Sequence, residues 1–204
     1  MKGDLAAALH DGVAALGLEL NAGVEGQLLA YLDLLNRWNR VHNLTAIRDP
    51  AQQLSHHLLD CLSVLAHLPP GPLADIGSGA GLPGLIIALA EPQRPVYLVE
   101  SSKKKCAFLH TAVAALGLKA VHIVAQRVED WPGPVAVIIS RALAELNLFL
   151  DLTAHLGDQH STWLLMKAAK SESLQRPGFQ LRSLPLTVPR LAEERQLLIL
   201  RRDP

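Results

Sequence analysis

Between Asp75 and Gly84 the chain reads Asp75-Ile76-Gly77-Ser78-Gly79-Ala80-Gly81-Leu82-Pro83-Gly84, and these are the residues whose types and spacing can do chemistry. Glycines at alternate positions let a backbone turn sharply and let a ligand approach it closely. Pro83 suits a first helical turn, where its missing N–H costs nothing. One apolar run, Leu73–Ile76, precedes the loop and another, Leu85–Ala90, follows it. The glycines therefore fall beyond the carboxyl end of a strand, where open α/β sheets bind ligands. No Lys-Ser or Lys-Thr pair follows them, which excludes a P-loop. Two cofactor classes remain. Gly79 to Gly84 satisfies GxGxxG, and Glu100 ends the next apolar run where a dinucleotide enzyme places its ribose acid. Against a dinucleotide stands Asp75, which faces an anionic pyrophosphate poorly but can serve the ammonium of an amino-acid moiety through its network. The spacing that abuts the strand is also GxGxG, beginning at Gly77. An acid ending the strand, then GxGxG, then an acid ending the second strand is the pattern of S-adenosylmethionine-dependent methyltransferases. In that pattern Glu100 accepts hydrogen bonds from both ribose hydroxyls.

The elements that must position these residues fall into two styles. The first part is helical. Leu5, Leu9, Val13 and Leu16 recur at helical spacing, with Gly17 as a stop. Leu28, Leu29, Leu32, Leu35 and Trp38 mark a second helix, with Arg37 and Arg40 near its C-terminal end, where cations suit the dipole. A turn around Asn43-Leu44-Thr45 and Asp49-Pro50 leads to a third helix through Leu54, Leu58, Leu62 and Leu65. Pro69-Pro70-Gly71-Pro72 breaks the chain. From there short apolar runs alternate with helical stretches. The runs are Leu73–Ile76, Val96–Val99, Ala120–Val124, Val135–Ile139 and Thr162–Met166. Helices are expected from about Ser102 to Leu116 and from about Ala144 to Leu156. This alternation means βαβ units and a parallel sheet. Phe179–Leu186 and Gln196–Leu200 follow with no crossover helix between them, which predicts an antiparallel hairpin closing the sheet edge. The expected fold is α/β and Rossmann-like, a mostly parallel seven-stranded sheet with helices on both faces. Residues 1–70 read as an N-terminal helical appendage and 71–204 as the cofactor-binding domain.

Half of the 204 residues are hydrophobic and 19% are charged, so the chain is globular. Cys61 and Cys106 form no CxxC pair and read as reduced thiols. The nine histidines include no HExxH or other ligand spacing, so no metal is expected. His56 and His57, adjacent on a helix, read as packing and surface residues. Asp4 and Asp11 interrupt any signal-peptide core, and no apolar run approaches the ~18 residues of a membrane span. A cytoplasmic monomer is expected. Net charge is zero, but residues 1–100 carry 5 Lys and Arg against 10 Asp and Glu, and the remainder 14 against 9. Such asymmetry is compatible with one basic face on a neutral protein.

The chain resembles the bacterial RsmG (GidB) methyltransferases. The resemblance rests on the glycine loop with its Gly-Leu-Pro-Gly ending, on Asn43-Leu44-Thr45 and His57-Leu58-Leu59-Asp60, and on Arg127-Val128-Glu129, Ile139-Ser140-Arg141-Ala142 and Glu193-Glu194-Arg195. It runs from about Asn36 to Arg202. It implies methylation of guanine N7 in the decoding region of 16S ribosomal RNA, free or in a small-subunit precursor, with S-adenosylmethionine as methyl donor. It also implies cofactor contacts at Gly77, Leu82, Val128, Glu129 and Arg141. With the loop, the second strand end and their neighbours, the candidate cofactor set is Asp75, Gly77, Ser78, Gly79, Gly81, Leu82, Glu100, Ser101, Arg127, Val128, Glu129 and Arg141. Ala168 departs from the glycine that members commonly carry after Lys167.

The other residues fit such a target. Enzymes that methylate exocyclic amines of bases usually end the fourth strand in an Asn/Asp-Pro-Pro-aromatic motif; here Ser140-Arg141 stands there. Cytosine C5 chemistry needs a cysteine nucleophile, and neither cysteine has that setting. Guanine N7 has a free lone pair and no proton to lose, so positioning and desolvation can carry the reaction with no general base. Arg141 is then a candidate for recognising O6 or a phosphate, or for shaping the pocket. Lys103, Lys104 and Lys105 open a helix against its dipole, which marks them as phosphate contacts. Lys167, Lys170 and Arg176 are similar candidates. Two rivals stay open: a dinucleotide-dependent oxidoreductase and a non-catalytic RNA-binding module.

Overall fold

In the structure, a computed structural model, residues 2–141 and 144–203 are described. Ala142, the last residue of the Ile139–Ala142 motif, lies outside them. Helix α1 (Lys2–Ala15) and helix α2 (Val24–His42) fall where the apolar spacing places them. Gly17 leaves α1 in the left-handed region, φ 67°, and Asn43 does the same for α2 at φ 48°. The third predicted helix is compound. Asp49 caps it by accepting a hydrogen bond from Gln52 N, and Pro50 takes its first position. Helix α3 (Pro50–Gln53) runs into a π-helical turn, Leu54–Leu59, and on into helix α4 (Asp60–Leu62). Leu65 belongs instead to a separate 3-10 turn, Leu65–His67.

Seven strands form one sheet: β1 (Leu73–Ile76), β2 (Val96–Val99), β3 (Val121–Val124), β4 (Val137–Arg141), β5 (Thr162–Ala168), β6 (Phe179–Leu186) and β7 (Arg195–Arg202). Their order is β3-β2-β1-β4-β5-β7-β6. The first five are parallel; β7 runs antiparallel to both β5 and β6. The expected hairpin is therefore present, with its second strand inserted between the first and the rest of the sheet. A dinucleotide-binding Rossmann sheet carries six strands in the order 3-2-1-4-5-6. The antiparallel insertion sets this sheet apart from it.

Helices α5 (Gly84–Ala90), α6 (Lys103–Leu116) and α7 (Leu146–Thr153) cover the faces. One face packs α5, α6 and the N-terminal helices in a single core, from Leu9, Leu28 and Leu58 through Leu85 and Phe108 to Ile139 and Met166. The other packs α7 against Ile76, Ile138, Trp163, Leu165 and Leu198. The boundary at residue 70 thus separates two styles of sequence within one continuous core. Gly12 allows this closeness, because a Cβ there would stand 2.6 Å from the Leu59 side chain. No helix among the described residues is long and apolar enough to cross a membrane.

Strand order reverses between β1 and β4, the switch point where such sheets open a crevice. The glycine loop leaves β1 at that place.

Candidate cofactor and substrate cleft

The loop is folded by its own backbone. Gly77 N and Ser78 N both donate to Val99 O, at 2.9 and 3.2 Å, which draws the loop over the end of β2. Ser78 O accepts from Gly81 N at 2.7 Å and Leu82 N at 3.1 Å. Gly77, Gly79 and Gly81 have φ of 67°, 58° and 81°, which is why glycine alternates here. Their surroundings differ. A Cβ on Gly79 would meet only Gly77 O, at 3.7 Å, so that side is open; one on Gly81 would stand 2.3 Å from Leu85 Cδ1, in the core. Tyr31, on α2, donates its hydroxyl to Ala80 O at 2.8 Å and ties the helical segment to the loop.

Glu100 joins the loop to α6. Its carboxylate, 6% exposed, accepts from Gly79 N at 3.0 Å and from Ser102 N at 2.8 Å, with Lys105 Nζ 3.6 Å away. An anion at this helix start offsets the three lysines that open α6 against its dipole. Asp75 lies deeper. Its Oδ2 accepts from Gly84 N at 2.9 Å, its Oδ1 has no partner, and it is fully buried. Burial pushes the carboxyl up to about 7, against the opposing pull of the Gly84 hydrogen bond and of Arg141.

Two cavities meet at Gly77. The smaller, about 160 Å³, is lined by Val99, Val128 and Leu152 with Ser101, Arg127 and Glu129. The larger, about 430 Å³, is lined by Gly77, Ser78, Gly79, Leu82 and Arg141, and across from them by Leu44, Thr45, His57 and Asp60. The structure thus brings nine of the twelve candidate cofactor residues to the walls of these two adjoining cavities. Asp75, Gly81 and Glu100 are not on those walls: Asp75 caps α5 under the loop, Gly81 faces the core, and Glu100 braces the loop from below. An open cavity of about 660 Å³ beside α1 shares His56, Leu191 and Glu193 with the larger cavity and, among the described residues, has none of the glycine loop in its wall.

The basic candidates divide. Lys104 Nζ donates to His42 O at 2.7 Å, and Lys105 pairs with Glu100. Lys167 sits within β5 rather than after it and pairs with Glu172 at 2.6 Å; Arg176 pairs with Asp151. Lys167 and Arg176, expected as phosphate contacts, each pair with a carboxylate of the fold. Among the described residues, Lys103 and Lys170 have no ion pair.

Residues whose roles the sequence did not disclose build the far wall. Asp60, 2% exposed, receives Arg195 at 2.9 and 3.0 Å and Arg141 Nη1 at 3.4 Å. Arg141 Nη1 also donates to His56 O at 2.6 Å. The two arginines clamp the π-helical segment to the ends of β4 and β7. His57, 3% exposed, has Nε2 3.0 Å from Thr45 Oγ1 and leaves Nδ1 without a partner. Burial first, then Arg141, push its imidazole down to about 4. The Cys61 thiol is fully buried and pushed up to about 12 by burial, so it stays a packed thiol rather than a nucleophile. Both motifs of the Asp60–Arg195 pair stood in the sequence resemblance, and their opposite charges were the one signal that they meet.

The family model for rRNA small subunit methyltransferase G, GidB, matches residues 25–197. The chain belongs to this family. Among GidB relatives, the ribosomal RNA small subunit methyltransferase G of Dichelobacter nodosus (strain VCS1703A) is 50% identical over 198 residues, covering 95% of this chain and 94% of its own. The Methylobacillus flagellatus protein of the same name is 44% identical over 196 residues, covering 94% and 96%. A solved SAM dependent methyltransferase from Aquifex aeolicus shares the fold at 17% identity and a TM-score of 0.55, over 75% of this chain and 94% of that one. In this GidB chain the residues of the shared motifs converge on the cleft from opposite ends of the sequence.

Proposed function

We propose that this chain transfers a methyl group from S-adenosylmethionine to N7 of a guanine in the decoding region of 16S ribosomal RNA, with no general base. The end of β4 carries the reading. There Ser140 Oγ donates to Ile76 O at 2.8 Å, and Arg141, held through Nη1 by Asp60 and the His56 carbonyl, is a guanidinium that only donates. Neither residue is left to hold an amine or take its proton. His57, held down at about 4, is a poor base near pH 7. A target that is already nucleophilic needs neither, and guanine N7 is one.

The residues present fit the cofactor. The open side of Gly79 leaves room for a ligand against bare backbone, and Val99, Val128 and Leu152 offer apolar walls for a purine. Glu100, under the loop, fixes the Gly79 backbone that the cofactor would lie against by receiving its N–H. The bound cofactor supplies an electrophilic methyl group. The chain's part is to hold the glycine loop rigid, exclude water and present the base. On this reading the RNA partner is free or in a small-subunit precursor, and the protein acts as a monomer in the cytoplasm. Incubation with tritiated methyl donor and unmethylated small-subunit RNA or particles tests the reading. Label should enter one nucleotide, identified by mass spectrometry as N7-methylguanosine. Label on another base, or none on either substrate, overturns it.

A further inference from the structure

Behind the cleft, on the other side of one loop, lies a polar groove of about 530 Å³ between the C-terminal half of α2 and the chain entering α3. Arg37 and Arg40 reach it from α2, one turn apart, and Arg48 reaches it from the loop. All three are exposed. Among the described residues none of them is in an ion pair; Arg48 Nη2 donates to the neutral Asn43 Oδ1 at 3.2 Å. Asp33, the one carboxylate on the lining, has an interaction of its own. The helix dipole accounts for a cation in the last turn of α2. It does not account for Arg48, which stands outside the helix and converges on the same groove. Three like charges around one groove repel each other, and an anion between them relieves that cost.

The groove is also rigid. Asn36 and Gln53 exchange two hydrogen bonds, 2.8 and 2.7 Å, and Gln53 Nε2 donates to Ile47 O at 2.9 Å. Asn39 holds Thr45 at both its N–H and its carbonyl, each at 2.9 Å. The loop so fixed turns Leu44, Thr45 and Ile47 toward the cleft. A polyanion lying in the groove is therefore one loop away from the site of methyl transfer.

From this we infer that Arg37, Arg40 and Arg48 bind phosphates of the RNA substrate and lead its backbone past the 44–48 loop into the cleft. Guanidinium groups suit the purpose, because their planar forks match phosphate oxygens in pairs. The inference rests on the RNA-methylation reading and adds to it a surface drawn from the N-terminal helices.

The test compares the wild type with the triple variant R37Q/R40Q/R48Q, measuring affinity for a small-subunit RNA fragment between about 50 and 200 mM salt. Three lost contacts to a single strand should lower the slope of log K against log salt by about 2 and weaken binding at least tenfold at low salt. Affinity for S-adenosylhomocysteine should not change, which shows that the variant is folded. A matched triple, K119Q/R182Q/R201Q, removes the same net charge elsewhere and should keep the wild-type slope. Equal slopes for all three proteins, or equal losses in both triples, overturn the inference. So does a variant that binds naked RNA normally and fails only on protein-containing particles, since that marks an acidic protein partner. Wild type that methylates no RNA fails the underlying reading; wild type that methylates RNA while the slope stays put fails the groove alone.

Discussion

Asp60 and Arg195, 135 residues apart, are joined by a two-point ion pair with N–O distances of 2.9 and 3.0 Å. The carboxylate is almost sealed, while Arg195 and Arg141 keep about a fifth of their side chains in solvent. Removing the acid leaves two cations partly desolvated. Asp60→Ala should therefore cost about 3 kcal/mol, the lower end for a broken buried pair, since the arginines are not fully enclosed. Urea unfolding measures it. A loss under about 1 kcal/mol would mean that the arginines find water without strain.

Glu100 lies under the loop and touches the cleft through Gly79, so its replacement should act on the cofactor by freeing the loop. Glu100→Ala should weaken S-adenosylhomocysteine binding by about 1.5–3 kcal/mol per charge-assisted hydrogen bond lost. Gly79→Val should abolish binding, because its side chain would fill the open side and a φ of 58° strains it by roughly 1–2 kcal/mol. Titration calorimetry on folded variants decides both; native affinity in either removes that residue from the site.

Two buried groups should imprint opposite pH dependences on stability. Asp75 is raised from 3.8 to about 7, so its contribution is fully present below pH 4 and is lost as pH rises through about 7. His57 is lowered from 6.5 to about 4, so its contribution is present above pH 6.5 and is lost as pH falls through about 4. Asp75→Asn should accordingly gain on the wild type between pH 4 and 8, and His57→Gln should gain on it between pH 6.5 and 4. Denaturation midpoints taken across that range read both signs. Parallel curves for variant and wild type would show that the group does not titrate as its burial implies.

A base-free transfer fixes the kinetics as well. The single-turnover rate at saturating RNA and cofactor should be nearly flat from about pH 6 to 8, where an unperturbed histidine base, pKa about 6.5, would make it rise. Asp75 titrates inside that window, so the profile is to be taken in Asp75→Asn also. A unit-slope rise that survives in that variant and vanishes when His56 is replaced would sink the mechanism.

Strands β1 and β2 lie where their apolar runs lie, and β6 where Phe179–Leu186 alternates, but Leu85–Ala90 is a run as short that folds as α5, so run length alone did not separate strand from helix. The glycine loop was legible because alternate left-handed residues admit almost nothing but glycine. The π-helical turn was not, since Leu54, Leu58 and Leu62 keep ordinary helical spacing while the backbone inserts its wider turn. Nor could local reading pair Lys167 with Glu172 or Arg176 with Asp151, because a charge shows its sign in sequence and its partner only in space. The arginine groove was hidden by addition. The first hundred residues sum to an acidic balance, yet three of their five basic residues line one groove.

The place of β7 between β5 and β6 has a consequence for how the chain is made. As a nascent polypeptide leaves the ribosome, β6 emerges before the strand that links it to the sheet, and it must wait with both edges unpaired. Arg195 arrives with β7, so until that strand enters, Asp60 has only its longer contact to Arg141. The last strand to enter the sheet therefore also locks the cleft. Closing of the far wall of the cleft and completion of the sheet are one event.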